Sequence, residues 1–345
     1  MKYVGVDLHK QVIVLCVVAV VGGQRQVQMR RRMACHDTAA LVDFFATLGP
    51  FQVAVEATAA YEWFLELIEG QAQRMVLVHP RKMRIIAESR RKTDRLDAQI
   101  LAEFLAADEL PEAWRPTPRV RQHRALVRQR DAHRRRISGL KCRLRNVLAH
   151  YNADVPRLFT LAGREHLAQA PLHACDRFVA DQLLAELDFQ QAQQRAVDRR
   201  LVEFAASAPM AEREARAVLE SVPCVGPVTT EIVLSELGDI RRFHSQADIV
   251  QYAGLAPGVR ESAGVRRGQG ITKEGSRLLR WTMIELAWRL VVKTRRWGFL
   301  YEKLKARCGT KKAIVAVARR VLCVLASLLK SGQSYHLSSE AFVKI

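Results

Sequence analysis

Apolar and polar positions along the first third of the chain alternate in short blocks. Tyr3–Asp7 and Val12–Val20 are β-branched runs joined by a short polar turn, a hairpin signal. A third strand near Gln26–Met33 extends the meander. A helix is expected near Thr38–Leu48, a strand at Gln52–Glu56, a helix at Tyr61–Gly70 and a strand at Met75–Val78. Thr93–Ala107 reads as a helix, with Leu96, Ile100, Leu101, Phe104 and Leu105 on one face. Three opening strands followed by alternating helices and strands predict an α/β unit with a mixed sheet of the RNase H type. A doubly wound fold starts differently, and no Gly-rich phosphate loop follows the first strand.

Pro111, Pro116 and Pro118 break this pattern and mark a boundary. Long helical segments follow, roughly Val120–His150 and Asp181–Ser207. Ile137, Leu140, Leu144 and Val147 keep heptad spacing in the first. Leu183, Leu187, Val197, Leu201 and Phe204 do so in the second, with Gln190 and Gln194 interrupting the seam. Two arrangements satisfy this pattern: a coiled coil that dimerises the protein, or an antiparallel hairpin within one chain. From about Glu212 the chain is expected to be mainly helical, with one Gly-rich loop between Ala253 and Gly275. A final helix carries the stripe Ile314, Val317, Val321, Val324, Leu325 and Leu328, and the tail after Ser331 is expected to be loose. The resulting division is 1–112, 113–210 and 211–345.

Charge changes the picture most. The 345 residues carry a formal net charge of +20, which favours a polyanionic partner, nucleic acid before an acidic membrane surface. Between Arg119 and Arg145 stand eleven Lys or Arg and one acid, Asp131. Arg128, Arg135 and Lys141 are among them, and such a helix suits phosphate binding with little sequence information. A second basic cluster, Arg81, Lys82, Arg84, Arg90, Arg91 and Lys92, leads into Asp94 and Asp97. Seven scattered cysteines without a CxxC pair argue against a disulfide framework and a structural zinc site. The apolar run Val12–Val21 is too short to span a bilayer, and no signal peptide is evident. A cytoplasmic protein without a membrane partner is expected.

Asp7 ends the first strand, and Glu56 ends a later strand expected to run beside it. Asp94 and Asp97, three apart, project from one helix face. Taken singly, these are a turn residue, a strand end and a solvated helix face flanked by Lys92 and Arg95. Together they form a set that can converge. Asp7 lies in an apolar strand, where an unpaired carboxylate is costly, and Glu56 ends a run of Val and Ala. A site for Mg²⁺, or Mn²⁺, relieves both. Two such ions about 4 Å apart activate the attacking oxygen and stabilise the leaving oxygen of a phosphodiester.

Gly5-Val6-Asp7-Leu8-His9-Lys10, Val55-Glu56-Ala57-Thr58 and Lys92-Thr93-Asp94-Arg95-Leu96-Asp97-Ala98 resemble the acidic motifs of DEDD insertion-sequence transposases. That family includes the Piv DNA invertases and the bridge-RNA-guided recombinases. Near the C-terminus, Gly254-Leu255-Ala256-Pro257, Glu261-Ser262-Ala263-Gly264, Gly270-Ile271-Thr272-Lys273-Glu274-Gly275 and Arg277-Leu278-Leu279-Arg280 resemble its transposase domain. The resemblance implies a RuvC-like N-terminal domain, a helical coiled-coil middle and a mainly α C-terminal transposase domain. It implies metal ligation by Asp7, Glu56, Asp94 and Asp97, and a serine nucleophile at Ser262, with Ser276 as the alternative. A serine hydroxyl can attack a phosphodiester and keep the strand end as an ester. Arg260, Arg266, Arg267 and Lys273 then suit the phosphate. The resemblance further implies element and target DNA as substrates, a guide RNA as partner and a dimer or tetramer.

Val222–Thr230 is similar to the hairpin of a helix-hairpin-helix element, where backbone N–H groups beside Gly226 hold a phosphate. An ordinary turn between packed helices is the other reading. Two functions of other classes stay open at this point: a metal-only junction-resolving nuclease, and a non-catalytic nucleic-acid-binding protein.

Overall fold

The computed structural model describes residues 1–57, 60–86, 94–262 and 265–335, with backbone alone at 84–86, 94–96, 259–262 and 265–269. The expectations for Arg90, Arg91, Lys92 and most of the tail lie outside the described residues. The chain divides into two compact units, Met1–Arg115 and Pro116–Ile345.

In the first unit, β1 (Lys2–Leu8), β2 (Val12–Val21), β3 (Gln24–Ala34), β4 (Phe51–Glu56) and β5 (Arg74–Val78) form one mixed sheet in the order β3-β2-β1-β4-β5. The first two pairings are antiparallel, and β1-β4 and β4-β5 are parallel. Period-two alternation sorts the faces. Val4, Val6, Leu8, Val53 and Val55 pack with Leu41 and Phe45 of α1 (Thr38–Ala46) and Phe64 of α2 (Glu62–Leu67). Tyr3 and Ala54 turn the other way, toward Leu101 and Leu105 of α4 (Asp94–Ala106), with Met83 of α3 (Pro80–Ile86) on the same side. Asp37 starts α1 by accepting a hydrogen bond from Ala40 N at 3.1 Å. The strands and helices expected from patterning are all present, with ends shifted by a few residues.

The second unit begins with two long helices, α5 (Pro118–Ala149) and α7 (Ala174–Ala206), flanking the short α6 (Leu161–Gln169). Thr117 caps α5, and Pro118 occupies its first turn, where a missing N–H costs nothing. The two long helices run antiparallel within one chain: His123 stacks on Phe204, Arg130 pairs with Asp198, and His133 Nδ1 lies 2.7 Å from Gln190 Oε1. Leu140, Leu144 and Leu148 continue the seam against Ala180, Leu183 and Leu187. Gln190 interrupts the apolar heptads because it meets the buried His133, each supplying the other's polar partner.

Then follow α8 (Met210–Glu220), α9 (Pro227–Leu237), α10 (Gln246–Tyr252), α11 (Arg277–Lys293), α12 (Arg295–Cys308) and α13 (Thr310–Ser331). They enclose one apolar core, into which α13 places Ile314, Val317, Val321 and Leu325. The segment expected to be a Gly-rich loop is instead a two-stranded antiparallel ribbon, β6 (Pro257–Ser262) with β7 (Val265–Ile271). Gly268 and Gly270 suggested a loop, yet they sit within a strand next to a register irregularity, where glycine is tolerated. No helix among the described residues is long and apolar enough to cross a membrane.

Candidate active site

Strand register brings the first two carboxylates together. Val6 pairs with Val55 in the parallel β1-β4 ladder, and Asp7 and Glu56 are the next residue on each strand. Both therefore stand at adjacent carboxyl ends, the edge of an open α/β sheet where ligands gather. Both are half-buried. His9 Nε2 lies 3.1 Å from Asp7 Oδ2, with the Asp7 side chain 16% exposed. His9 belongs to the first acidic motif, but strand patterning gave no reason to assign it a role, because it lies in the turn beyond β1.

Helix α4 crosses this same face. Gly5 is two residues before Asp7, and a Cβ there would stand 2.0 Å from Ala98 O and 2.5 Å from Ala102 N. Glycine is thus what lets the helix backbone rest on β1. Asp97, half-buried, directly precedes Ala98 on the first turn of α4. Asp94 is the first residue of that helix, and its side chain lies outside the described residues. Among the described residues, no group of three His, Cys, Asp or Glu side chains stands close enough to hold a metal ion. The donor type fits a hard divalent cation, since Asp7, Glu56 and Asp97 offer only carboxylate oxygens. Arg81 and Lys82 are exposed on the first turn of α3, just past the carboxyl end of β5 and hence at the same edge of the sheet.

In the second unit, Ser262 is the last residue of β6 and pairs with Val265, so it sits at the tip of the ribbon. Behind it Glu261 pairs with Arg266 and Arg260 with Arg267. The base of the ribbon is fixed. Thr272 N donates to Ala256 O at 2.9 Å, Lys273 N to Gly254 O at 3.1 Å, and Arg280 Nη1 to Ala253 O at 3.0 Å. Gly254 and Gly275 both have positive φ, and a Cβ on Gly275 would meet Tyr252 O at 1.9 Å. Lys273 is exposed, with a φ of 57°. Ser276, the alternative serine, caps α11: Leu279 N donates to its Oγ at 3.1 Å. Gly226 is the N-cap of α9 with extended backbone, and the turn 221–225 separates it from α8.

Most of the basic helix is engaged inside its own unit. Arg119 pairs with Glu212, Arg124 donates to Ser235 O and Glu236 O, and Arg128 pairs with Glu236 at 3.0 Å. Arg134 and Arg135 share Asp131, and Arg134 also lies over the Trp281 ring. Lys141 Nζ sits 5.0 Å from the Phe159 ring centroid. Sequence counts could not reveal most of this, because, Asp131 apart, the acceptors come from α7, α8 and α9, far along the chain. Deeper still, His123 Nε2 lies 2.5 Å from Glu231 Oε2, and Arg216 donates to both oxygens of Glu231. Burial pushes the Glu231 carboxyl up, but the His123 and Arg216 hydrogen bonds outweigh it and hold the group below the ordinary range.

Comparison with known proteins bears on the whole of this arrangement. A DEDD transposase sequence pattern of the IS110 type matches residues 4–153, and that of the Transposase IS116/IS110/IS902 family matches residues 216–302. The chain is 25% identical to the transposase for insertion sequence element IS1111A of Coxiella burnetii, covering 97% of this chain and 91% of that one. It is 27% identical to a probable family 20 transposase of Pseudomonas aeruginosa, covering 96% and 98%. It is 22% identical to the pilin gene-inverting protein of Moraxella bovis, covering 96% and 97%. By class, then, the chain is a DNA transposase or recombinase, an enzyme whose substrate is DNA. It belongs with the DEDD transposases of the IS110 type.

Proposed function

We propose that this enzyme cuts and rejoins the DNA of an insertion sequence with Mg²⁺, or Mn²⁺, held by Asp7, Glu56, Asp94 and Asp97. The observation that carries this is the adjacency of Asp7 and Glu56 at the carboxyl ends of β1 and β4, on the face crossed by α4. The strand order β3-β2-β1-β4-β5 supports an RNase H-like, RuvC-like unit. A bound divalent ion supplies charge for an attacking or leaving phosphodiester oxygen. His9 holds Asp7 in place, and Arg81 and Lys82 draw the DNA backbone to this edge, a role extended to Arg91 and Lys92.

Ser262 is the proposed nucleophile. Its Oγ gives up a proton and bonds to phosphorus while a strand P–O bond breaks, leaving a hydroxyl on the released end. A strand hydroxyl later reverses the exchange. Three observations support the assignment: the ribbon tip places Ser262 at an extremity, the ribbon base is rigidly fixed, and Ser276 is occupied as a helix cap. Arg260, Arg266, Arg267 and Lys273 neutralise the phosphate there, and the α9 N-terminus at Gly226 holds another phosphate through backbone N–H groups. Arg128, Arg135 and Lys141, all on α5 of the pair taken as a coiled-coil region, contact the nucleic-acid backbone at short range, Arg128 and Arg135 through the exposed parts of guanidinium groups already paired within the unit. A guide RNA, a dimer or tetramer, and a cytoplasmic, nucleoid-associated setting belong to the same proposal, supported by the resemblance and by the net charge of +20. Cleavage of element-junction DNA in Mg²⁺ by the wild type, lost in Asp7→Asn and Glu56→Gln, tests it. Cleavage undiminished in both variants overturns it.

A further inference from the structure

The row of positions at the open end of the sheet does not stop at the carboxylates. Asp7 pairs with Val14 of β2, and Val14 pairs with Arg32 of β3. Glu56, Asp7, Val14 and Arg32 therefore cross four strands in one row. The next row inward is Ala54, Gly5, Cys16 and Arg30. There Ala54 and Cys16 are fully buried, Cys16 with Ala98 and Ala102 of α4 in one cluster. In the outer row Glu56, Asp7 and Val14 are half-buried and Arg32 is exposed. The outer row is thus less deeply buried than the inner one: Val14 still packs against the cluster of Cys16, Ala98 and Ala102, and Arg32 is exposed.

Arg32 lies on the same face as Asp7, roughly 10 Å away at the backbone, two strand spacings. Arg30 reaches back to α4, donating to Gln99 Oε1 at 2.5 Å. Arg32 has no hydrogen bond or ion pair among the described residues. Strand β3 carries Arg25, Arg30, Arg31 and Arg32 and no acid. Charges of either sign protect an edge strand from pairing with another chain, so edge protection does not account for four of one sign. Nor does it account for an arginine in register with two acidic residues. A polyanionic strand approaching Asp7 and Glu56 needs a cation beside them, and a guanidinium offers a two-pronged grip on phosphate.

We infer that Arg32, with Arg30 behind it, holds the DNA backbone phosphate adjacent to the one at Asp7 and Glu56, so that the strand crosses β1, β2 and β3 along this row. The inference rests on the reading of Asp7 and Glu56 as the DNA-cutting carboxylates. It adds a contact that positions the strand without reading its bases.

The test uses the full chain and a labelled DNA duplex of arbitrary sequence, with binding measured across a salt series. Arg32→Gln is expected to lower the slope of log affinity against log salt by about one. Arg32→Lys should restore most of it. Arg31→Gln is the control: Arg31 is exposed on the same strand but pairs with Leu15, whose side chain faces the α1 and α2 side. An unchanged slope in Arg32→Gln, an equal loss in Arg31→Gln, or a loss seen only with an RNA probe of equal length overturns the inference. Mg²⁺-dependent cleavage by wild type and Asp7→Asn is scored separately. Wild-type cleavage with an unchanged Arg32→Gln slope removes the inference and leaves the reading. A lowered slope without any wild-type cleavage removes the reading and leaves the phosphate contact.

Discussion

Gly5 and Ala98 set the distance between the sheet and the helix of the acidic site: a Cβ on Gly5 would stand 2.0 Å from the Ala98 carbonyl oxygen. That atom is backbone and cannot swing aside. Gly5→Ala must therefore lift α4 off β1 and carry Asp97 away from Asp7 and Glu56. Overpacking of this kind costs about 1–3 kcal/mol. The expected outcome is a lower melting temperature together with loss of DNA cleavage. Gly139→Ala, in open space on α5, should instead gain up to about 1 kcal/mol from helix propensity. Calorimetry on both variants checks the pair.

The ribbon base invites a second substitution. Gly275 has a φ of 111°, and a Cβ there would meet Tyr252 O at 1.9 Å. Gly275→Ala should displace the ribbon that carries Ser262 while leaving the distant α5-α7 seam intact. Strand transfer should fall at least tenfold, with DNA binding nearly unchanged. Loss of both together would mean that the whole second unit had failed to fold.

The seam of the long helices carries a third. His133 and Gln190 satisfy each other in a buried setting. Gln190→Leu strands the imidazole and should cost about 1–3 kcal/mol. Adding His133→Leu should recover most of it, since an apolar pair of similar size leaves no polar atom unmet. Denaturant titration of the single and double variants gives the coupling directly.

Acid should weaken the second unit. Glu231 titrates below its ordinary range in the folded protein because His123 and Arg216 outweigh the effect of burial. Glu212, pushed up by burial, is likewise brought below its ordinary range by Arg119 and Arg216. A carboxyl with a lowered folded pKa contributes stability that is present above its unfolded pKa and lost as pH falls through the folded one. Glu231→Gln should cost about 3–5 kcal/mol at neutral pH, because it takes from the buried Arg216 guanidinium one of its two carboxylate partners. The difference from wild type should shrink as pH drops below the ordinary glutamate range. Thermal melts from neutral to acidic pH measure both.

Patterning revealed the first unit well and the second less well, for physical reasons. β1 and β2 are long β-branched runs buried by helices, and nothing competes with that reading. The adjacency of Asp7 and Glu56 followed from their positions at strand ends, and the register confirmed it. The role of Gly5 was invisible, because a glycine in a strand says nothing about which helix will lie on it. The ribbon was read as a loop because its glycines outweighed Val259, Val265 and Ile271. The eleven basic residues of the long helix read as free charge, whereas many spend that charge on acceptors that the fold brings from α8, α9 and the interhelical turns. Heptad spacing left the hairpin and the intermolecular coil equally open, and the His133–Gln190 contact marks the hairpin packing within the chain.

The central claim is that carboxylates and a serine together cut and rejoin DNA. The most direct measurement is a denaturing gel for a protein–DNA adduct, with Mg²⁺, element-junction and target DNA and the RNA transcribed from the element end. Wild type, Ser262→Ala, Ser276→Ala and Asp7→Asn are compared. The expected result is an adduct in wild type and in Ser276→Ala, and none in the other two. Cleavage without any adduct, equally strong in Ser262→Ala, would contradict the claim and leave a nuclease that works by its carboxylates alone.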